Sequence, residues 1–170
     1  MKPVLSTIIL CFTILLFTSC SKEEINDQDS LLGTYEITSF KVASDIDLNN
    51  NGIAKSEFDP GCLNDSELTI TSETSGTLFL SSDVAYNTIT ENGKMRFAKI
   101  CAFNQDLDIL NLTYQTVDGN VIFSYDEIEY PATIDGNTIS LTIPNGFVTT
   151  DIDTFETTFV MDLVYVFTKR

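Results

Sequence analysis

The chain has 170 residues, 25 acidic and 9 basic side chains, a net charge of −16, and neither histidine nor tryptophan. Nucleic acid is excluded as a partner, because phosphate binding needs the opposite sign. The missing imidazole excludes Ser-His-Asp and Cys-His nucleophile activation and any zinc site that uses histidine. Paired carboxylates remain as a route to hydrolysis, but no Asp or Glu stands out among the 25, and the chain is not expected to be an enzyme.

In chain order, Lys2 comes first as a positive charge, followed by an apolar stretch from Val4 to Phe17 broken only by Ser6 and Thr13. That stretch is too short for a membrane span, which needs roughly 20 apolar residues, and has the make-up of a cleaved signal. Small Thr18 and Ser19 precede Cys20. Leu16-Phe17-Thr18-Ser19-Cys20 resembles the lipobox of bacterial lipoproteins, with Phe17 where Leu is usual. The resemblance implies that residues 1–19 are a lipoprotein signal peptide. Cys20 would then be the first mature residue, with diacylglycerol on its thiol and a palmitate-type chain on its amino group. Each buried methylene contributes about 0.8 kcal/mol, so several chains make a lasting membrane anchor. The other reading is an ordinary cleaved signal with Cys20 as an incidental thiol.

Residues 20–30 read as an acylated, acidic tether. Ser21-Lys22-Glu23-Glu24 is similar to the short Lys-plus-acidic tag of surface-exported lipoproteins, which implies an outer membrane lipoprotein, periplasmic or surface-exposed. Losing Lys2 with the signal leaves 8 basic and 25 acidic residues, a charge of −17. Such a charge accommodates a basic ligand or a divalent cation most easily.

Residues 31–170 make one domain, which reads as strands throughout. Alternation marks strands at 32–43, 67–71, 77–81, 94–102, 107–115, 120–125, 130–135 and 138–143. A last strand has Phe159, Met161, Leu163, Tyr165 and Phe167 on one face. Ser75-Gly76, Asn92-Gly93, Asp118-Gly119 and Asp135-Gly136 supply hairpin turns, and loops are expected at 44–65, 82–93 and 144–156. Eight or nine short strands joined by hairpins predict an all-β fold, an up-and-down antiparallel β-barrel, with a β-sandwich as the alternative.

The first strand opens Leu32-Gly33-Thr34-Tyr35-Glu36-Ile37, and the last ends Leu163-Val164-Tyr165-Val166-Phe167-Thr168-Lys169. This pair resembles the lipocalin-like domains of small bacterial lipoproteins, with Tyr35 where Trp is usual. The resemblance implies that the last strand returns to pair with the first. Gly33 would let the chain pass closely under the barrel, and Tyr35 would plug its closed end.

Between the first two predicted strands, Asp45, Asp47, Asn49, Asn51 and Gly52 are followed by Glu57 and Asp59. Oxygen ligands at alternate positions before a glycine turn suit Ca²⁺. The bidentate acid is missing, however, since Phe58 stands in its slot between Glu57 and Asp59. Weak calcium binding and a solvated turn both fit, and no cofactor is otherwise expected. Of the four cysteines, Cys11 would leave with the signal and Cys20 would be acylated. Cys62 and Cys101 remain in an oxidising compartment, either as one disulfide or as two buried thiols.

Two functions follow. One is a membrane-anchored lipoprotein whose barrel binds a small, apolar ligand. The other is a structural or accessory interaction subunit of the cell envelope, with a filled barrel and an envelope protein as partner. The inner face of the last strand decides between them: an open cavity there favours binding, while solid packing by Phe97, Leu112 and Phe123 favours the structural role.

Overall fold

A computed structural model describes residues 31–103 and 109–170. It contains β1 (Gly33–Ile46), β2 (Lys55–Phe58), β3 (Glu67–Ile70), β4 (Ser75–Phe79), β5 (Ser82–Glu91), β6 (Lys94–Phe103), β7 (Ile109–Val117), β8 (Asn120–Tyr125), β9 (Ile128–Asp135), β10 (Thr138–Asp151) and β11 (Thr157–Lys169). A 3-10 turn lies at Gly61–Leu63. Among the described residues, no helix is long and apolar enough to cross a membrane. The expected signal peptide, Cys20 and the expected tether lie outside the described residues.

Strands β1, β3, β4, β7, β8, β9, β10 and β11 close a ring in that order, each antiparallel to its neighbours. This is the expected up-and-down barrel. A sandwich would leave sheet edges, whereas here β11 is paired on one side with β10 and on the other with β1. Period-two alternation sends one apolar set inward. Ile37 and Ile139 both face Phe167 across the β1–β11 and β10–β11 ladders, and Leu68 lies between Tyr35 and Leu78. Tyr35 sits at the rim where the chain enters, buried to 1% exposure, and its hydroxyl donates to the Leu31 carbonyl at 2.8 Å. Gly33 opens β1 against the Lys169 side chain.

Three strands outgrow the ring. β1, β10 and β11 run 14, 14 and 13 residues, while β3, the shortest strand of the ring, has 4. Their far halves continue past the barrel, with register shifts between Ile37 and Ser39 and between Ile143 and Phe147. Other elements cover this extension. β2 pairs with β1, and the β5–β6 hairpin joins β10 through a short parallel ladder, Tyr86–Thr88 against Thr149–Asp151. The hairpin has further ties. Cys62 and Cys101 form a disulfide with Cα atoms 6.1 Å apart, linking the 3-10 turn to β6, and Asn50 is hydrogen-bonded to the main chain of Phe97.

These additions correct the expected loops. Residues 82–93 hold a full strand, residues 44–65 contain β2, and β10 continues through half of 144–156. Ser75-Gly76 is not a turn either, because both residues lie in β4 and the reversal is made by 71–74. A Cβ on Gly76 would stand 2.7 Å from the Thr69 carbonyl oxygen, so glycine is needed there for close strand approach. Asn92-Gly93 and Asp118-Gly119 turn as expected, both residues of each pair having positive φ.

Candidate functional site

The barrel interior is the first place a ligand could occupy. Leu68, Phe123, Ile139 and Phe167 are 0% exposed, and Leu112 and Tyr114 are 3% exposed. A side chain lining an internal void would expose surface to it, so these values describe a filled barrel. Tyr114 packs on Phe123 with ring centroids 5.3 Å apart. Phe97 packs on Phe159 at 5.7 Å, which closes the inner face of β11 at its other end.

The acidic loop is the second. Asp47 holds the turn with its carboxylate: Oδ1 accepts the Asn51 N–H at 2.9 Å and Oδ2 accepts the Gly52 N–H at 2.8 Å. Asn51 accepts from Ile53 N–H through Oδ1 at 2.9 Å. Glu57 points elsewhere. It accepts from the Ser39 hydroxyl at 2.7 Å and pairs with Lys41 at 3.6 Å, and the Ser39 bond holds its carboxyl below the usual range. Asp45, Asn49 and Asp59 are exposed. Among the described residues, no three Asp, Glu or Cys side chains group as a metal ion needs. Of the oxygens that alternate spacing suggests for a cation, those of Asp47 and Asn51 accept backbone N–H groups of the loop itself.

A third place was not legible in the sequence. Where β1, β10 and β11 rise above the barrel, Phe40, Tyr86, Phe147, Leu163 and Tyr165 surround a half-open cleft of about 30 Å³, with Leu63, Val84, Gly146 and Val148 completing its lining. A bulge at Pro144-Asn145-Gly146 makes room for it. The Asn145 N–H leaves the ladder to donate to Asp162 at 2.9 Å, and Gly146 carries no Cβ, which would meet the Ile143 side chain at 2.7 Å. β5 rejoins β10 only from Tyr86 onward, so the gap beside the bulge stays open. Burial pushes the Tyr86 hydroxyl up to about 12, with Tyr165 adding to the effect. The Tyr165 hydroxyl is likewise pushed up to about 12, first by burial and then by the charge of Asp83. Beyond the cleft, buried Thr88 and Thr149 share the Thr158 hydroxyl at 3.1 and 2.7 Å, which satisfies polar groups in an otherwise apolar layer.

The β10–β11 connection stands at the end of this extension. Asp151 Oδ1 accepts from the N–H groups of Asp153 and Thr154 and from the Thr154 hydroxyl, and these bonds hold its carboxyl below the usual range. Phe155 follows at φ 58° with its side chain 82% exposed. No protein-family model, curated protein or solved structure matches the chain.

Proposed function

We propose that this protein is a lipoprotein of the cell envelope, anchored at the outer membrane through acylated Cys20, whose filled barrel serves as an interaction module. The observation that carries this reading is the packing inside the ring, where Phe123, Ile139 and Phe167 have no exposed surface. A drug-sized ligand needs a cavity of about 300 Å³ or more, and admitting one would mean expelling core aromatics. Phe155 supports the same reading. An aromatic held in the left-handed region, at a cost of roughly 1–2 kcal/mol, and turned to solvent by a capped turn is suited to contact another protein. Calcium has no part in this reading, because Asp47 is engaged by the backbone of its own loop.

Native mass spectrometry of the protein purified from its own membrane tests the proposal. The expected spectrum has three acyl chains on Cys20, no small molecule, and a protein partner in fixed ratio. A retained apolar molecule of defined mass would overturn it in favour of a barrel that binds a small ligand.

A further inference from the structure

The outer face of the strand extension carries an apolar stripe. Phe147 and Thr149 of β10 are buried, so Val148 between them points outward, half-exposed. Its cross-strand partner in β11 is Val160, also half-exposed. On the other side of β10, Thr149 pairs with Tyr86, which sets exposed Ala85 beside Val148, one residue earlier on each strand. Ala85 in turn pairs with half-exposed Ile100 of β6. Val160, Val148, Ala85 and Ile100 therefore form one row across four strands, a span of about 15 Å. Ile152, whose N–H donates to the Thr88 carbonyl, extends the exposed apolar surface toward the tip of the extension.

Charge frames this stripe. Exposed Asp83 and Asp162 lie on its barrel side, and exposed Asp153 and Glu156 lie at the tip. The β6 corner holds Lys94 and Arg96, but Arg96 is paired with Glu91 at 3.5 Å. An apolar centre with a polar rim is the anatomy of a protein contact. A second copy would set these acids against their own kind, with a charge of −16 on each chain, and an anionic lipid surface would meet the same repulsion. A partner with basic residues around an apolar centre meets neither objection. Four strands, taken from Gly146 to Ile152, cover about 15 by 20 Å, well short of the roughly 800 Å² per partner of a standard interface. The contact is therefore weak, and its acids supply much of the attraction.

We propose that the outer face of β11, β10, β5 and β6, centred on Val148, docks a protein whose apolar contact patch is ringed by lysine or arginine. This rests on the interaction-module reading and assigns the module its surface. Val160, Val148, Ala85 and Ile100 pack on the apolar patch, while Asp83, Asp162, Asp153 and Glu156 meet the basic rim.

The test uses the full chain in its own membrane, with the photo-crosslinker p-benzoylphenylalanine in place of Val148, of Ile100, or of Ile128, a half-exposed residue of the β8–β9 hairpin on the barrel. The Val148 and Ile100 positions should give the same protein adduct, and the Ile128 position none. The yield should fall at least about fivefold when the membranes are moved from about 50 to about 500 mM NaCl before irradiation. Asp83→Lys with Asp153→Lys should lower the yield at Val148 by a similar factor in low salt. Glu129→Lys with Asp135→Lys makes the same change in charge on β9 and should not, and a thermal melt checks that both pairs fold. An adduct of two copies, an adduct with lipid, a yield indifferent to salt, or an equal yield from Ile128 would overturn the proposal. No adduct from either face position, with a protein partner still present in the native mass spectrum, would overturn this surface and leave the interaction module standing. Absence of that partner as well would overturn both.

Discussion

Asn50 takes the place of a missing strand beside Phe97: its Nδ2 donates to the Phe97 carbonyl at 2.8 Å, and its Oδ1 accepts the Phe97 N–H at 2.8 Å. β6 is the last strand in the sheet order, and an open edge invites pairing with another chain. Asn50 closes that edge midway, and the Cys62 disulfide ties it down farther along. Replacing Asn50 with Gly keeps its φ of 54° accessible but removes both bonds, and should cost about 1–3 kcal/mol in urea unfolding. Asn50→Ala should cost roughly 1 kcal/mol more through backbone strain. Both variants should self-associate at concentrations where the parent is monodisperse by light scattering.

Reducing the Cys62–Cys101 bond releases a loop spanning a separation of 39 residues. Chain entropy puts its contribution at about 4 kcal/mol, which corresponds to a fall in Tm of roughly 10–15 °C for a domain of this size. Cys62→Ala with Cys101→Ala should match the reduced protein in a thermal melt, and alkylation without reductant should label neither thiol. Labelling of both would remove the bond from the account.

The β8–β9 hairpin turns on Asp126 and Glu127, at φ 49° and 67°, without a glycine or asparagine. Both residues are exposed. Glu127→Gly relieves left-handed strain at the expense of a more flexible unfolded chain, and is expected to raise stability by about 0.5–1 kcal/mol. A lower urea midpoint for the variant would show that the glutamate side chain stabilises this turn.

Alkaline pH should act through the cleft tyrosines. Their hydroxyls ionise at about 12 in the folded chain and at about 10 when unfolded. The unfolded state therefore loses its protons first as pH rises. The stability these residues contribute is complete below about pH 10 and is lost between about 10 and 12. In urea titrations across that range, the Tyr86→Phe, Tyr165→Phe variant should lose less stability than the parent.

Calcium at about 10 mM should leave Tm unchanged, because the oxygens of Asp47 already accept backbone N–H groups. Asp47→Asn should nevertheless lower Tm, since an amide has only one oxygen for two donors. A calcium-dependent rise in Tm that Asp47→Asn abolishes would return the loop to the class of cation sites.

The barrel was legible wherever alternation was apolar on one side and where Asn-Gly or Asp-Gly fixed the turn. β5 was not, because its inward set is Ser82, Val84, Tyr86 and Thr88, with hydroxyl groups at both ends. Thr88 is buried at no evident penalty only because Thr158, distant in sequence, meets its hydroxyl. The Asp126-Glu127 turn escaped notice for a related reason: tertiary pairing of β8 with β9 imposes a backbone that neither residue prefers. In the acidic loop the oxygens and the glycine fit both a weak calcium site and a solvated turn, because spacing does not distinguish a cation from the loop's own N–H groups. The cleft depends on a bulge, and Pro144-Asn145-Gly146 gave no sign that β10 would resume beyond it.

The three long strands also separate the two poles of the molecule. Leu31 and Arg170 leave from the same rim, where Arg170 N–H donates to the Thr34 carbonyl and its side chain pairs with Glu36 and Glu67. Phe155 lies at the opposite pole, beyond about 40 Å of β11. A tether ending at Leu31 would hold that rim toward whatever it is fixed to, like the foot of a post. The β5–β6 hairpin, the tyrosine cleft and the Phe155 turn would then all face outward, so a partner arriving from solution would meet every irregular feature of the fold before it met the barrel.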